Sequence, residues 1–485
     1  MTIGMLSSTL FGDMFGTAAM RAAFGELAFL ARCAEVEAAL ARAQARLGIV
    51  PSEAAAAISA AAAAVAANPE TLDLARLKRE TETVGYPILP LVRQLAERAG
   101  GLQPTGLSPG GLQPTGLSPG GLQPTGLSRG AAGRWLHWGA TTQDIMDTAV
   151  VLQIRAGLRL IETDLDALRG HLAGLARRYR DTPMAGRTHL QHALPITFGF
   201  KAAVWLAAFD RHAARLAELK PRVLAVQFGG AAGTLASLGE GAAALASRTE
   251  LARELGLAEP AITWHVARDA IAETVQFLAL VGGSLGKIAL DVMLMSATEF
   301  GEAAEPFVAG RGSSSTMPQK RNPISCELIL AAAKALRQHA GLVLDAMVSD
   351  FERATGPWHV EWIALPESFG YAAGALHQAE FILGGLIVDP VRMATNLGMT
   401  HGLIVAEAVM MGLAPYTGRT EAHDLVYDAC RLAIESDRPL CDVLLETPAV
   451  AGPLGEARLR ALTDPSNYLG AAQAMVDRVL NERNA

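Results

Sequence analysis

The sequence predicts an all-α protein, on the evidence of its composition and of repeated helical periodicity. Of its 485 residues, 51% are hydrophobic but only 5% are aromatic. Alanine and leucine, which favour helices, dominate the apolar residues, and runs typical of strands are scarce. Apolar residues recur at alternating spacings of three and four, which place them along one helix face. We therefore expect a helical protein with a large buried core.

Five segments carry this helical pattern. The clearest apolar seam runs from Leu158 to Leu175, and the others lie at Ile271 to Met295, Ile329 to Met347, Leu376 to Leu386, and Phe198 to Leu219. The last of these is expected to end at Lys220-Pro221, because proline interrupts helices. Such seams indicate a bundle of nearly parallel helices with more apolar surface than one chain covers. A homo-oligomer is therefore expected, with a monomeric bundle as the alternative.

The chain divides by pattern into an N-terminal helical domain (1–134), a central bundle (135–390) and a C-terminal helical domain (391–485). Residues Gly101 to Gly130 contain the segment GLQPTGLSPG twice, followed by GLQPTGLSRG. Glycine and proline at this density exclude a helix or a central strand and predict a mobile loop. A lid over an active site is one interpretation. A tandem duplication tolerated on the surface is the favoured one, since loop length costs little stability.

Charge and cysteine content exclude several classes of function. The net charge of −7 provides no overall basic surface for nucleic acid. The four cysteines are widely spread, which argues against a zinc site or a disulfide framework and fits a reducing compartment. No signal-peptide pattern begins the chain, and Lys287 interrupts the apolar stretch that starts at Phe277. We expect a cytoplasmic protein that does not enter a membrane.

The first polar cluster is WLHWGATTQDIMDT, from Trp135 to Thr148. It joins a glycine-containing turn to an apolar helix. A plain structural interpretation is that Thr142 or Gln143 caps that helix, with Asp144 favourable in its first turn. That accounts for a minority of the polar residues. The candidate ligand-binding side chains are His137, Thr141, Thr142 and Gln143.

The second cluster is GRTHLQHALPITFG, from Gly186 to Gly199. His189 and His192 stand three apart, but no further ligand completes a metal site, so we expect no metal. Arg187, Thr188 and His189 would suit an anionic, oxygen-rich ligand better.

The third cluster is RGSSSTMPQKRNP, from Arg311 to Pro323. Pro323 fits the first position of the following helix, whose free N–H groups are expected to face an anion. Lys320, Arg321 and Asn322 add charge and hydrogen-bond donors there. A solvated or phosphorylatable serine-rich loop is the alternative. It does not explain so much polarity directly before a core helix.

The sequence lacks the glycine-rich signatures of dinucleotide-binding and P-loop proteins and the GxSxG elbow of serine hydrolases. The three polar clusters offer hydroxyls, imidazoles and cationic groups as the chemically active side chains. They favour acid–base chemistry on a polyanion without a cofactor.

GSSSTMPQKRNP resembles the GSSxMPxKxNP signature of the fumarase/aspartase superfamily, and the other two clusters match its further active-site segments in order and spacing. The resemblance covers almost the whole chain outside the triple repeat. It implies a homotetramer with a core of twenty helices, in which three subunits build each active site. It also implies β-elimination, or the reverse addition, next to a carboxylate, and a signature loop that closes over the substrate.

Carried over residue by residue, the resemblance places the catalytic serine at Ser314, with the register open within Ser313–Ser315. It makes His189 either an acid or a charge-binding group. His137, Thr141, Thr142 and Gln143 fall in the substrate-binding turn, and Lys320 and Asn322 would hold a carboxylate. A serine base requires stabilisation of its alkoxide, and nearby cations and N–H groups are expected to supply it.

Flanking segments are similar to the 3-carboxy-cis,cis-muconate cycloisomerases within the superfamily. The similarity lies in Gln227 to Gly239, in GPWHVEW from Gly356 to Trp362, and around the first motif. Adenylosuccinate lyases are the nearest alternative, but they carry glutamine where this chain has Trp264, and they lack the tryptophan pair. The expected substrate is accordingly a small polycarboxylate.

Overall fold

The computed structural model of the chain describes residues 4–100, 132–353 and 355–483. The triple repeat of residues 101–130 lies outside the described residues. Within them the protein is helical, and its strands form two small antiparallel sheets. The prediction of an all-α fold is confirmed.

The helices of the N-terminal part are short to medium in length. Their bounds are α1 Gly12–Phe15, α2 Ala18–Phe24, α3 Glu26–Arg46, α4 Ser52–Ala67, α5 Leu74–Val84 and α6 Ile88–Arg98. Five long helices and one shorter helix follow. They are α7 Thr142–Arg178, α8 Phe198–Val223, α9 Ala242–Leu255, α10 Asp269–Ser296, α11 Ile324–Ala346 and α12 Pro357–Gly384.

The C-terminal helices are again short. They are α13 Pro390–Gly398, α14 Ala406–Thr417, α15 Arg419–Ser436, α16 Leu440–Leu445, α17 Pro448–Leu454, α18 Glu456–Leu462 and α19 Ala472–Glu482. Strands β1 Pro183–Thr188 and β2 Gln191–Thr197 pair in one sheet, and β3 Ala303–Ala304 pairs with β4 Ile387–Val388 in the other. Single 3-10 turns occur at Pro69–Thr71, Ala132–Trp135, Ala236–Leu238, Leu403–Val405 and Pro465–Asn467.

The chain forms two compact units, and the division falls within the five long helices. The first unit comprises Met1–Leu160, Leu216–Leu278 and Gln338–Gly370. Its core is built on α3, whose buried face includes Leu30, Val36 and Leu40, with residues of α4, α6 and the start of α7 packed against it. The second unit comprises Ile161–Arg215, Ala279–Arg337 and Tyr371–Ala485. One of its cores lies among the C-terminal helices α14 to α18.

The apolar seams predicted from sequence are the buried faces of the long helices. Leu158, Ile161, Leu165 and Leu168 of α7 are buried, as are Leu285, Ile288 and Val292 of α10. The end of α8 differs from the prediction, because the helix continues through Pro221 to Val223. Proline fixes a helical φ and removes one N–H donor, which a last turn tolerates. The division into three segments stays a prediction.

Helix α10 is long and apolar enough to cross a membrane, even though Lys287 lies within it. The bent pair Pro390–Gly398 and Leu403–Thr417 also passes that test together. The expectation that Lys287 leaves this apolar stretch too short to span a membrane is therefore wrong, as far as the length and the composition of the helix decide it. However, 50% of its most apolar stretch is buried within the protein, which is typical of a core helix.

Candidate active site

The three polar clusters are divided between the two units. The first cluster, Trp135 to Thr148, belongs to the first unit. The second and third clusters, at 186–199 and 311–323, belong to the second unit. Within the part of the second unit that the structure describes, no hydrogen bond joins these two clusters to each other.

The first cluster is anchored by Asp144. Helix α7 begins at Thr142, and the carboxylate of Asp144 in its first turn accepts a hydrogen bond from the N–H of Thr141 at 2.9 Å. Thr141, rather than Thr142 or Gln143, thus stands at the cap, with the reciprocal bond of a capping box. The same carboxylate accepts bonds from the N–H groups of Gly229 and Gly230, each at 2.9 Å, and contacts His265 Nε2 at 2.7 Å. Asp144 therefore fixes the motif to the glycine-rich 227–233 loop.

His137 is held by a buried carboxylate. Its Nδ1 lies 2.6 Å from Oε1 of Glu37, and its backbone N–H donates to Oε2 of the same residue. Burial disfavours the charged imidazole, but the Glu37 carboxylate outweighs burial and raises the pKa of His137. The residue also has a φ of +60°, in the left-handed region that few non-glycine residues adopt. His137 is thus biased towards a cation in a fixed orientation.

Gln143 holds other groups in place. Its Nε2 donates to Asp147 and to the carbonyl of His265, and its Oε1 accepts from Arg353 at 3.1 Å. The side chain is buried, and its amide bonds to protein groups in this structure. Direct contact between Gln143 and a substrate stays a prediction. Arg353, which the sequence interpretation missed, also donates to the carbonyl of Ala231 and places a cation beside the motif.

A buried ion-pair network lies behind the first cluster. The guanidinium of Arg268 donates to both oxygens of Asp147 and to both oxygens of Glu361, at 2.5 to 3.0 Å. Trp358 Nε1 donates a further bond to Asp147 at 3.0 Å, and Trp264 lies against the guanidinium. The guanidinium of Arg268 is therefore the shared counter-ion of two carboxylates. The two carboxylates raise the pKa of Arg268 against the effect of burial, so it stays charged.

The second cluster forms a β-hairpin, which the sequence pattern did not predict. Strands β1 and β2 pair with a register irregularity between Ala185 and Arg187, and the turn residues are His189 and Leu190. Both have left-handed φ values, +51° and +63°. Two-residue hairpin turns with two such residues normally contain Asn and Gly. His189 therefore lies at the tip of the hairpin, in a backbone conformation that is costly for a residue other than glycine. His189 and the adjacent Thr188 are both exposed.

Arg187 is paired within its own unit. Its two terminal nitrogens donate to the two oxygens of Glu302 at 2.9 and 2.7 Å, and Glu302 is buried. Asn396 donates to the same carboxylate. This arrangement orients Arg187 and neutralises much of its charge, so direct binding of an anion by Arg187 stays a prediction.

A cationic cavity of about 320 Å³ opens beside the hairpin. Its charged or titratable lining consists of Arg187, His189, Lys201, Lys287 and Asp291. Lys287 bonds Asp291 at 2.6 Å, and burial lowers the pKa of Lys201. Lys201 and Lys287 were not among the predicted site residues. Their signal in the sequence was weak: each is a single lysine in an otherwise apolar helical stretch.

Ser314 makes side-chain hydrogen bonds with the backbone of the signature loop. Its Oγ accepts hydrogen bonds from the backbone N–H groups of Met317 and Thr316, at 3.1 and 3.3 Å. Among the described residues, Ser313 and Ser315 have no such side-chain bonds. Backbone donors aimed at an oxygen stabilise negative charge on it, as a serine base requires. The catalytic role of Ser314 and the register within Ser313–Ser315 stay predictions.

The end of the signature loop is closed by Asn322. Its backbone N–H and its Nδ2 both donate to the carbonyl of Gly312, at 2.9 and 3.1 Å. Arg321 donates to the carbonyl of Glu305 and lies over Phe307, whereas Lys320 is exposed. Asn322 thus shapes the loop in this structure. Carboxylate binding by these three residues stays a prediction.

The start of α11 differs from the prediction. Pro323 precedes the first helical residue, Ile324, instead of occupying that position. The carboxylate of Glu305 accepts from the N–H groups of Ser325 and Cys326, at 3.4 and 2.8 Å. The helix N-terminus was expected to face a bound anion. It is occupied instead by this buried side chain, which satisfies the free donors of the first turn.

Comparisons with known proteins fit this arrangement of motifs. A family model described as "Lyase" matches residues 16–337, and one described as "Adenylosuccinate lyase C-terminus" matches residues 402–479. The chain belongs to the lyase family of the fumarase/aspartase superfamily. The resemblance inferred from the motifs is confirmed.

Individual members of the lyase family align over nearly the whole chain. Trans-aconitate decarboxylase 1 of Mycosarcoma maydis is 46% identical, over 98% of this chain and 89% of its own length. A 3-carboxy-cis,cis-muconate cycloisomerase of Pseudomonas aeruginosa is 45% identical, over 99% and 97%. The crystal structure of a fumarate lyase from Mesorhizobium sp. BNC1 is 58% identical, covers 96% of this chain and 98% of that one, and superposes with a TM-score of 0.84.

Proposed function

We propose that the chain is a cofactor-free cycloisomerase that converts 3-carboxy-cis,cis-muconate to carboxymuconolactone, a step of protocatechuate breakdown. The observation that supports this most directly is the cationic cavity of the second unit. The same unit contains Ser314, outside the lining of that cavity, whose Oγ accepts from two backbone N–H groups. The cavity suits carboxylates, and the serine suits proton transfer. Two of the similar proteins are named for unsaturated tricarboxylates, trans-aconitate and carboxymuconate.

In the proposed reaction, one carboxylate oxygen of the substrate forms a bond to a carbon of its own double bond. The adjacent carbon, next to another carboxylate, accepts a proton from the hydroxyl of Ser314. The serine regains its proton from solvent, so the trianion and one proton give a dianionic lactone. A carboxylate is a good leaving group in the reverse direction and needs no general acid, because its pKa is near 4. His189 is then a charge-binding residue.

The proposal includes a cytoplasmic homotetramer with shared active sites. Helix α10 supports the oligomer, because it exposes a second stripe at spacings of three and four, formed by Leu280, Gly283, Lys287, Leu290 and Leu294. Leu280 is 53% exposed and Leu290 is 48% exposed. Exposed apolar stripes of this kind mark interfaces between helices of different subunits. The stripe shares Lys287 and Leu294 with the lining of the cationic cavity.

A β-elimination lyase or a decarboxylase acting on a related polycarboxylate is the second candidate. Trans-aconitate decarboxylase 1 is as similar to this chain as the cycloisomerase is, at 46% against 45% identity. Adenylosuccinate lyase activity belongs to the same alternative, because the C-terminal family model carries that description.

The test is an assay on purified protein with 3-carboxy-cis,cis-muconate, in parallel with adenylosuccinate and trans-aconitate. The cycloisomerase should remove the absorbance of the conjugated diene, take up one proton per turnover in weak buffer and release no carbon dioxide. Consumption of adenylosuccinate alone, or carbon dioxide from trans-aconitate, would transfer the proposal to the second candidate.

Variants of the three serines test the assignment of Ser314. Ser314→Ala should abolish turnover and retain the wild-type oligomer, whereas Ser313→Ala and Ser315→Ala should stay active. His189→Gln should raise KM more than it lowers kcat. A loss confined to kcat would assign His189 to proton transfer instead.

A further inference from the structure

A second cavity, of about 240 Å³, lies in the first unit and is not used by the proposed reaction. Its apolar lining comes from α2, α3, α7 and α12 and from Pro87. The aromatic walls are Phe24, Phe29, Trp358 and Trp362. The volume is below the range of about 300–1,000 Å³ typical of sites for drug-sized ligands. A small ligand with an apolar surface fits such a space.

The cavity also borders two buried carboxylates that share one counter-ion. Asp147 and Glu361 both line it, and these side chains are 2% and 5% exposed. Their shared counter-ion, Arg268, is not among its lining residues. Two ionised carboxylates that share one guanidinium carry a formal charge of −1 between them. Burial, and to a smaller extent the Asp147 carboxylate, raises the pKa of Glu361, so a positive charge in the cavity would favour its ionised form.

We propose that this cavity, with aromatic walls and a floor formed by Asp147 and Glu361, binds a small organic ammonium ion. The methyl or methylene groups of such an ion contact the rings, and its positive charge balances the excess carboxylate. A small anion is repelled by the floor. A bare metal ion is disfavoured because the walls offer it few oxygen ligands. A neutral apolar molecule fills the volume but leaves the charge unbalanced.

The proposal is tested by calorimetric titration of the full-length protein with choline and with 3,3-dimethylbutan-1-ol. The two probes have nearly the same shape, and only choline is charged. Choline should bind saturably at one site per chain, and the neutral alcohol at least tenfold more weakly. Equal affinity for the two probes, or no saturable binding of choline, overturns the proposal.

Two variants on adjacent positions of α12 locate the site. Trp362 is 36% exposed, so Trp362→Leu should fold, and it should weaken choline binding about tenfold. Ile363→Leu is the matched control, since Ile363 is exposed and does not line the cavity; it should bind choline as the wild type does. Wild-type affinity in Trp362→Leu overturns the assignment. Glu361→Gln should also weaken binding, provided that its circular dichroism matches that of the wild type.

Discussion

Replacement of Arg268 by methionine tests the buried network that supports the first motif. The substitution preserves side-chain volume approximately but removes a guanidinium that makes hydrogen bonds to two buried carboxylates. Breaking a buried ion pair in this way typically costs about 3–5 kcal/mol, because the remaining charge is buried without a partner. We therefore expect Arg268→Met to lower the free energy of unfolding by about this amount at pH 7.5.

The pH dependence of that loss has a definite sign. Burial already raises the pKa of Glu361, and loss of the guanidinium raises it further. Between the pKa of Glu361 in the unfolded chain and its higher pKa in the folded variant, the folded variant holds a proton on Glu361 that the unfolded chain has released. Lower pH therefore stabilises the variant relative to wild type, by up to about 1.4 kcal/mol per pH unit for each such proton. The deficit at pH 5.5 should be smaller than the deficit at pH 7.5.

The measurement is urea unfolding of both proteins at the two pH values and at one fixed protein concentration. Arg222→Met is the matched control, since Arg222 forms an exposed pair with Glu273 and its loss should hardly move the midpoint. The reasoning is refuted if Arg268→Met behaves as Arg222→Met does, or if its deficit grows as the pH falls.

Three further predictions concern the loop and two histidines. Gly312→Ala should impair kcat/KM and expose the loop to trypsin, because Gly312 has a φ of +70° and a Cβ there would lie 2.4 Å from a backbone oxygen. Gly310→Ala, with a φ of +81° and open space around it, should have the smaller effect, and equal effects would contradict this. Glu37→Gln should lower the pKa of His137 and move the basic limb of the pH–rate profile to lower pH; an unchanged profile would exclude a catalytic role for the charge. Burial lowers the pKa of His212 to about 4. Between about pH 6.5 and about pH 4 the unfolded chain therefore binds a proton that the folded chain does not, and this group should lower the free energy of unfolding by about 3 kcal/mol over that range. His212→Gln should abolish this contribution in acid titrations followed by circular dichroism.

The sequence predicted those features that depend on neighbours along the chain. A helix face is defined by residues three and four apart, so the buried seams of α7 and α10 could be read directly. The hairpin at 183–197 could not, because its strands are short and its turn residues, His189 and Leu190, lack the usual Asn-Gly signal. The three clusters were found by their polar composition, and their resemblance to a family suggested roles for their residues; periodicity did neither.

Partners distant in sequence were the main omission. Glu305 is separated by twenty residues from the helix N-terminus that it occupies, and Glu37 is one hundred residues from His137. Gln143 was predicted to bind the substrate, and its buried amide hydrogen-bonds to Asp147, to the carbonyl of His265 and to Arg353. Whether a polar side chain faces a ligand or the protein interior depends on contacts that a local pattern does not contain.

The left-handed backbone at His137 and His189 limits what evolution or a mutant library can place there. Both positions have a φ near +55°, which Asn, Asp and Gly adopt at low cost and β-branched residues adopt poorly. A substitution to valine, isoleucine or threonine would thus remove the imidazole and strain the turn at once. A deep mutational scan scored for folding alone should accept glycine and asparagine at position 189 and reject the β-branched residues at both positions. The conformation of the main chain therefore limits the residues that can replace these two histidines, whatever role the imidazoles have.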